Sequence, residues 1–195
     1  MLQAESSPVL PWCRDAMNSQ FQSPSFKLAA KGLIALHRLI KEGKDYSPET
    51  ESIRDALDAP LNALNKTEEE RAQWLSEDFY SVSEPASLTT QKAMNPQAQQ
   101  QLNDALEARD DGEWDLALTL LRRWKEFISP SQLSFLRGSI WLKAGNPEVA
   151  AEFFGHASEC DPANANYLAI YMHALEKSDP DAAEKLVQEV MEEDE

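Results

Sequence analysis

A spacing of 33 residues recurs through the C-terminal half of this chain, and no other feature narrows its folding so far. Displacement by 33 places Gly112 on Gly145 and Ser178, and Ala117 on Ala150 and Ala183. It also places Leu121 on Phe154 and Val187, and Trp124 on Ala157 and Val190. Gly138 and Tyr171 occupy equivalent places, where the first copy has Ala105. A fixed period of this length belongs to stacked helical units, each burying its apolar face only against its neighbours.

Each recurring position has a physical reason. Small residues at Ala117, Ala150 and Ala183 let two antiparallel helices approach closely. Gly112 and Gly145 suit the end of a first helix, where a left-handed residue closes the turn at little cost. Leu121, Phe154 and Val187, four residues further on, are expected to fill the seam between units. Capping residues followed by proline mark helix starts at Asn95-Pro96, Ser129-Pro130, Asn146-Pro147, Asp161-Pro162 and Asp179-Pro180. The capping side chain accepts from free backbone N–H groups, and proline in the first turn loses no needed donor. The pattern predicts helices near 96–110, 113–127, 131–144, 147–160, 163–177 and 180–192, forming three hairpins.

In the second copy, Gly138, Trp141, Gly145, Ala150, Phe154, Ala157 and Pro162 resemble the tetratricopeptide repeat. The first copy is similar through Gly112, Trp114, Ala117 and Leu121, with Ala105 and Ala108 as smaller substitutes. The third matches through Tyr171, Ala174, Ala183 and Val187, with Ser178 where glycine is usual. The likeness covers about half the chain, at a period one residue short of the usual 34 or so.

The resemblance implies an all-α solenoid whose first helices line a concave groove for peptides or helices. Mapped here, the lining is Gln99, Leu102, Leu106, Arg109, Gln132, Phe135, Ser139, Leu142, Leu168, Met172 and Leu175. Family members that clamp a C-terminal carboxylate use Lys and Asn at such places. Leu102, Leu106, Gln132 and Leu136 stand there instead, which argues against that ligand. An apolar groove suits an apolar peptide or amphipathic helix. The chain's own N-terminal helices are the competing occupants of that groove.

Residues 1–95 do not share the repeat. Residues 1–22 are expected to be irregular, apart from a short turn near Asp15. Within 23–82, one helix is predicted from Ser25 to about Glu42, ending at Gly43. A second starts at Ser47-Pro48 and is interrupted or kinked at Pro60. A third follows, with Thr67 and Glu70 at capping-box spacing. Residues 83–95 are polar and aperiodic, as a linker before the repeat domain 96–195. No segment alternates as a strand does, so no sheet is expected.

The predicted helix 26–42 sets Phe26, Leu28, Leu33, Ile34, Leu36, Leu39 and Ile40 against Lys27, Lys31, Arg38 and Lys41. A basic amphipathic helix of this kind can lie on a membrane. Packing against the two helices that follow is the preferred reading, so membrane binding is not expected.

Charge bears on partners. The formal net charge is −16. Residues 96–195 hold 8 basic and 20 acidic side chains, a net of −12. With no basic surface to release counterions from phosphates, nucleic acid is an unfavourable partner. The N-terminus lacks a basic region followed by an apolar core, so no cleaved signal is expected. Cys13 and Cys160 show no framework spacing, and a reducing cytoplasm is the default location.

His156 and Cys160, four apart on a helix, share a face and are both ligand types, and His173 lies on the next helix. A closed zinc site needs about four ligands, and the missing one would have to be Cys13 or a carboxylate. No metal or cofactor is therefore expected. A nucleophilic enzyme would need a third, orienting member and an oxyanion feature, and neither is evident. The run Asp104, Glu107, Asp110 and Asp111 reads as a solvated face.

The expectation is a non-catalytic protein–protein interaction module, a scaffold or adaptor. The alternative is a secretion-type chaperone shielding apolar client segments. A minor alternative is an enzyme or metal protein using His156 and Cys160. Helix 180–192 would leave Val187 and Val190 partly bare, and a homodimer through that end is a further possibility.

Overall fold

The computed structural model describes residues 21–83 and 91–193, and every regular element among them is helical. Nine α-helices run in order among the described residues: α1 Pro24–Lys41, α2 Pro48–Asn62, α3 Lys66–Ser83, α4 Pro96–Asp111, α5 Trp114–Arg123, α6 Pro130–Lys143, α7 Pro147–Cys160, α8 Ala165–Ser178 and α9 Pro180–Glu193. A 3-10 turn, Lys125–Phe127, follows α5. Cys13, the turn near Asp15 and most of the linker lie outside the described residues.

The helix ends follow local chemistry. Ser23, Ser47, Asn95, Ser129 and Asn146 each accept from a backbone N–H three residues on, at 2.8–3.3 Å. Proline opens the helix after each of them. Gly112 and Gly145 sit at φ of 83° and 82°. Beyond each, the next amide reaches back to close the turn, Glu113 to Ala108 at 2.8 Å and Asn146 to Trp141 at 2.9 Å.

Four boundaries differ from expectation. The cap of α3 is Asn65 with Glu68 rather than Thr67 with Glu70: Asn65 Oδ1 accepts from the Glu68 amide at 3.1 Å. Asp161-Pro162 ends α7 instead of opening α8, whose cap is Asn164. The span 113–127 breaks at Trp124, which stands where the second copy has Ala157 and turns its ring onto Phe127, 5.5 Å away. At Pro60 the helix continues two residues further and ends at Asn62.

Consecutive helices from α4 to α9 each pack on the next, and α1 packs on α2, α3 and α7. One hydrophobic core extends from Phe21 to Ala183, through both the N-terminal helices and the hairpins. Ala117 and Ala150 are fully buried. The α6–α7 hairpin is tight because Gly138 admits Phe154: a Cβ there would lie 2.7 Å from that ring. In the third hairpin Tyr171 replaces Gly138 and lies instead over Gly155 of α7. Val187, at the place of the fully buried Phe154, is 36% exposed.

The N-terminal helices are fixed to the hairpins by rings and charges. Phe26 stacks on Trp141 with centroids 5.9 Å apart, Phe21 reaches Trp114 and Trp141, and Phe79 stacks on Phe153. Arg71 of α3 forms a bidentate pair with Asp115 of α5, at 2.8 and 2.7 Å. Buried Arg137 of α6 meets buried Asp78 of α3 at 2.8 Å, and Arg122 of α5 approaches the same carboxylate at 3.0 Å. Gln22 bridges two elements, donating to the Ala144 carbonyl at 2.8 Å and accepting from Asn146 at 2.7 Å. Phe26, Leu33 and Ile34 of α1 are buried whereas Leu28 is 60% exposed, and Lys31, Arg38 and Lys41 pair with Glu148, Glu152 and Glu159 of α7.

Candidate functional site

Helix α6 is two-sided. Ser134, Arg137 and Trp141 form a stripe at i, i+3 and i+7; the latter two meet the N-terminal segment. Gln132, Phe135, Ser139 and Leu142 form another stripe, about 150° further round at 100° per residue. The N-terminal helices thus pack on the α5–α7 side. The stripe of sequence-predicted groove residues turns away from them.

This second face continues across neighbouring helices. Arg109 of α4 donates to Ser139 of α6 at 3.4 Å, and Lys143 of α6 pairs with Asp110 of α4 at 2.6 Å. Hydrogen bonds from Arg109 and Lys143 hold the Asp110 carboxyl down to about 2. Phe135 packs on Phe154 of α7 and on Tyr167 of α8, with centroids 5.8 and 5.3 Å apart. Leu106, Leu142, Leu168 and Met172 are half-buried, and Gln99 and Gln132 are exposed. Two predicted members, Arg109 and Ser139, therefore meet each other, and Phe135, Leu106, Leu142, Leu168 and Met172 keep part of their surface in solvent.

Two predicted members do not belong to this face. Leu102 is 7% exposed and shares the buried stripe with Ala98 and Ala105, four residues before and three after it. Leu175 is 4% exposed and joins Ala174 and Ala183 in the core where α8 packs on α9.

His156 and Cys160 do come together. The Cys160 sulfur is 3.3 Å from His156 Nε2, while His156 Nδ1 is 2.8 Å from the Ser134 hydroxyl. His156 borders a cleft of about 250 Å³ lined also by His37, Arg38, Lys41, Glu159 and Tyr171. Burial lowers the His156 imidazole, and burial together with Glu159 raises the Cys160 thiol. The cysteine also sits in the last turn of α7, where free carbonyls disfavour a thiolate. An activated thiol requires the opposite direction. His173 stands apart, exposed beside Glu176. Among the described residues, no group of three or more His, Cys, Asp or Glu is arranged to hold a metal ion.

No local sequence pattern joins Arg137, Asp78 and Arg122, which the fold brings into one cluster. An arginine amid the apolar residues of α6 was its visible signal. No helix among the described residues is long and apolar enough to cross a membrane. Comparison with protein-family models, curated proteins and solved structures finds no match to this chain.

Proposed function

We propose that this protein is a non-catalytic interaction module that binds an apolar peptide or amphipathic helix of another protein across α4, α6 and α8. The two-sidedness of α6 carries the reading. One side is saturated by the chain's own helices, whereas Phe135, Leu142, Leu106 and Met172 present half-buried apolar surface on the other. Such side chains gain about 25 cal/mol for each Å² of apolar area a partner covers. Arg109 and Ser139 add polar groups at the middle of the strip for orienting a bound backbone.

The test is affinity capture from cells with quantitative mass spectrometry, comparing wild type with Phe135→Asp and Leu142→Glu. Helicity by circular dichroism is measured in parallel. Partners lost from both variants at unchanged helicity support the reading, and partners retained by both refute it. A captured client with membrane-inserting segments would favour the chaperone alternative.

A further inference from the structure

A small cavity of about 110 Å³ lies where the end of α3 meets the 3-10 turn, α6 and α7. Val82, Ile128 and Leu133 supply its apolar wall, and Ser134, Arg137 and His156 a polar one. It is separate from the α4–α6–α8 strip, because Ser134 and Arg137 belong to the other stripe of α6. Ser134 and His156 satisfy one another, with 2.8 Å between the hydroxyl and Nδ1.

Arg137 is different. A guanidinium carries five N–H donors, and the described residues engage two of them, through Asp78 at 2.8 Å and Ser81 at 3.2 Å. The side chain is almost wholly buried, and donors at such depth are ordinarily met. Because Arg137 borders the cavity, an acceptor placed there reaches the donors that remain.

Charge and size narrow the ligand. Asp78 faces Arg137, Arg122 and Lys125, and Arg122 also pairs with Glu77 at 2.8 Å. Three cations thus share two carboxylates, which leaves one positive charge uncompensated. Lys125 forms no ion pair with a described residue, and it stands in the cavity wall. Glu126, the acid of that wall, is taken by Lys92. A single negative charge closes the balance. A dry cavity of about 150 Å³ holds the ring of benzene, so about 110 Å³ admits roughly four to five non-hydrogen atoms.

We propose that this cavity binds a short-chain aliphatic carboxylate, its oxygens on Arg137 and its chain against Val82, Ile128 and Leu133. The bound acid touches both α3 and the second hairpin, so it also ties the N-terminal helices to the repeats.

The probe is butyrate, titrated against the full chain by saturation-transfer NMR, with butyramide as its neutral counterpart. Butyrate should bind with a dissociation constant of about 1 mM, a modest value for so small a molecule. Butyramide keeps an acceptor oxygen without the charge and should bind about tenfold more weakly. The exposed substitution Lys125→Glu should weaken butyrate about fivefold, as one attraction becomes one repulsion. Leu133→Trp fills the cavity and Arg137→Met removes the donors, so each should abolish binding at unchanged helicity. Phe135→Asp should leave it unaltered. Butyrate should also raise the urea midpoint of wild type but not of Leu133→Trp. Absence of saturable binding well above the expected concentration would mean that water alone serves Arg137, and overturns the proposal. So would equal binding of butyramide, or wild-type binding by either cavity variant. Undiminished binding by Lys125→Glu overturns it too, which keeps the test decisive if a cavity variant loses helicity. Tighter binding of N-acetylvaline, a mimic of a peptide end too large for the cavity, would assign the site to a chain terminus instead and equally overturns it.

Discussion

Replacing Asp78 tests how the N-terminal helices are held to the hairpins. Arg137 is 2% exposed, and its carboxylate partner is only slightly more so. In Asp78→Ala the guanidinium keeps the Ser81 hydroxyl at 3.2 Å and loses its counter-charge. An uncompensated charge at such a site costs about 3–5 kcal/mol. Arg137→Met is milder, at about 1–2 kcal/mol, because Asp78 retains Arg122 at 3.0 Å. Burial lifts Asp78 above the usual carboxylate range, outweighing both arginines, and lowers Arg137. Desolvation thus exceeds attraction, so the apolar pair Asp78→Leu, Arg137→Met should lie within about 1 kcal/mol of wild type.

The pH dependence follows in sign. The folded chain binds the Asp78 proton at higher pH than the unfolded chain, so the cost of the ionised group is present at neutral pH. It is relieved as pH falls through the folded-state value, and wild type should gain on the apolar pair from pH 7 toward about 4. Urea unfolding followed by both tryptophan fluorescence and circular dichroism measures these differences, with coincident transitions as the check on a two-state treatment. A double variant as unstable as the sum of its two single substitutions would refute the reasoning, as would an Asp78→Ala cost below about 1 kcal/mol.

Two further outcomes are expected. Gly138→Ala places a Cβ 2.7 Å from the Phe154 ring. Its overpacking cost of about 1–3 kcal/mol outweighs the roughly 1 kcal/mol of helix propensity gained, and adding Phe154→Leu should restore stability in urea. In a Cys13→Ser background, Cys160 should alkylate more slowly than a free thiol at pH 7, with its pH–rate midpoint above the ordinary cysteine value. An equal or faster rate would show that the raised thiol is wrongly understood.

Most helix boundaries were legible because they depend on a few adjacent residues. Asn95-Pro96 or Asn146-Pro147 carries its own cap, and Gly112 or Gly145 its own turn. Expectation and structure part where local cues compete. Thr67 and Asn65 both begin a capping-box spacing, and Asn65 is the one that lies before the helix. Asp161-Pro162 resembles a helix start, but its aspartate serves the end of α7. Helical periodicity alone places Phe135, Ser139 and Leu142 on one face. Periodicity does not fix which edge of the stripe the core absorbs, and Leu102 and Leu175 face inward. The Arg137–Asp78 pair was hidden for another reason: its members are 59 positions apart, and no local pattern joins them.

The Gln22 amide bridge has a consequence for the order of assembly. Its partners lie 122 and 124 residues downstream, so a nascent chain makes residue 22 roughly 6–25 s before residue 146 at about 5–20 residues per second. Through that interval the aromatic residues of α1 and α3 lack Trp141 and Phe153. An ordinary repeat array can grow one unit at a time, each added to a finished neighbour. Here the earliest helices wait for the second hairpin, whose Trp141, Ala144 and Asn146 complete their contacts.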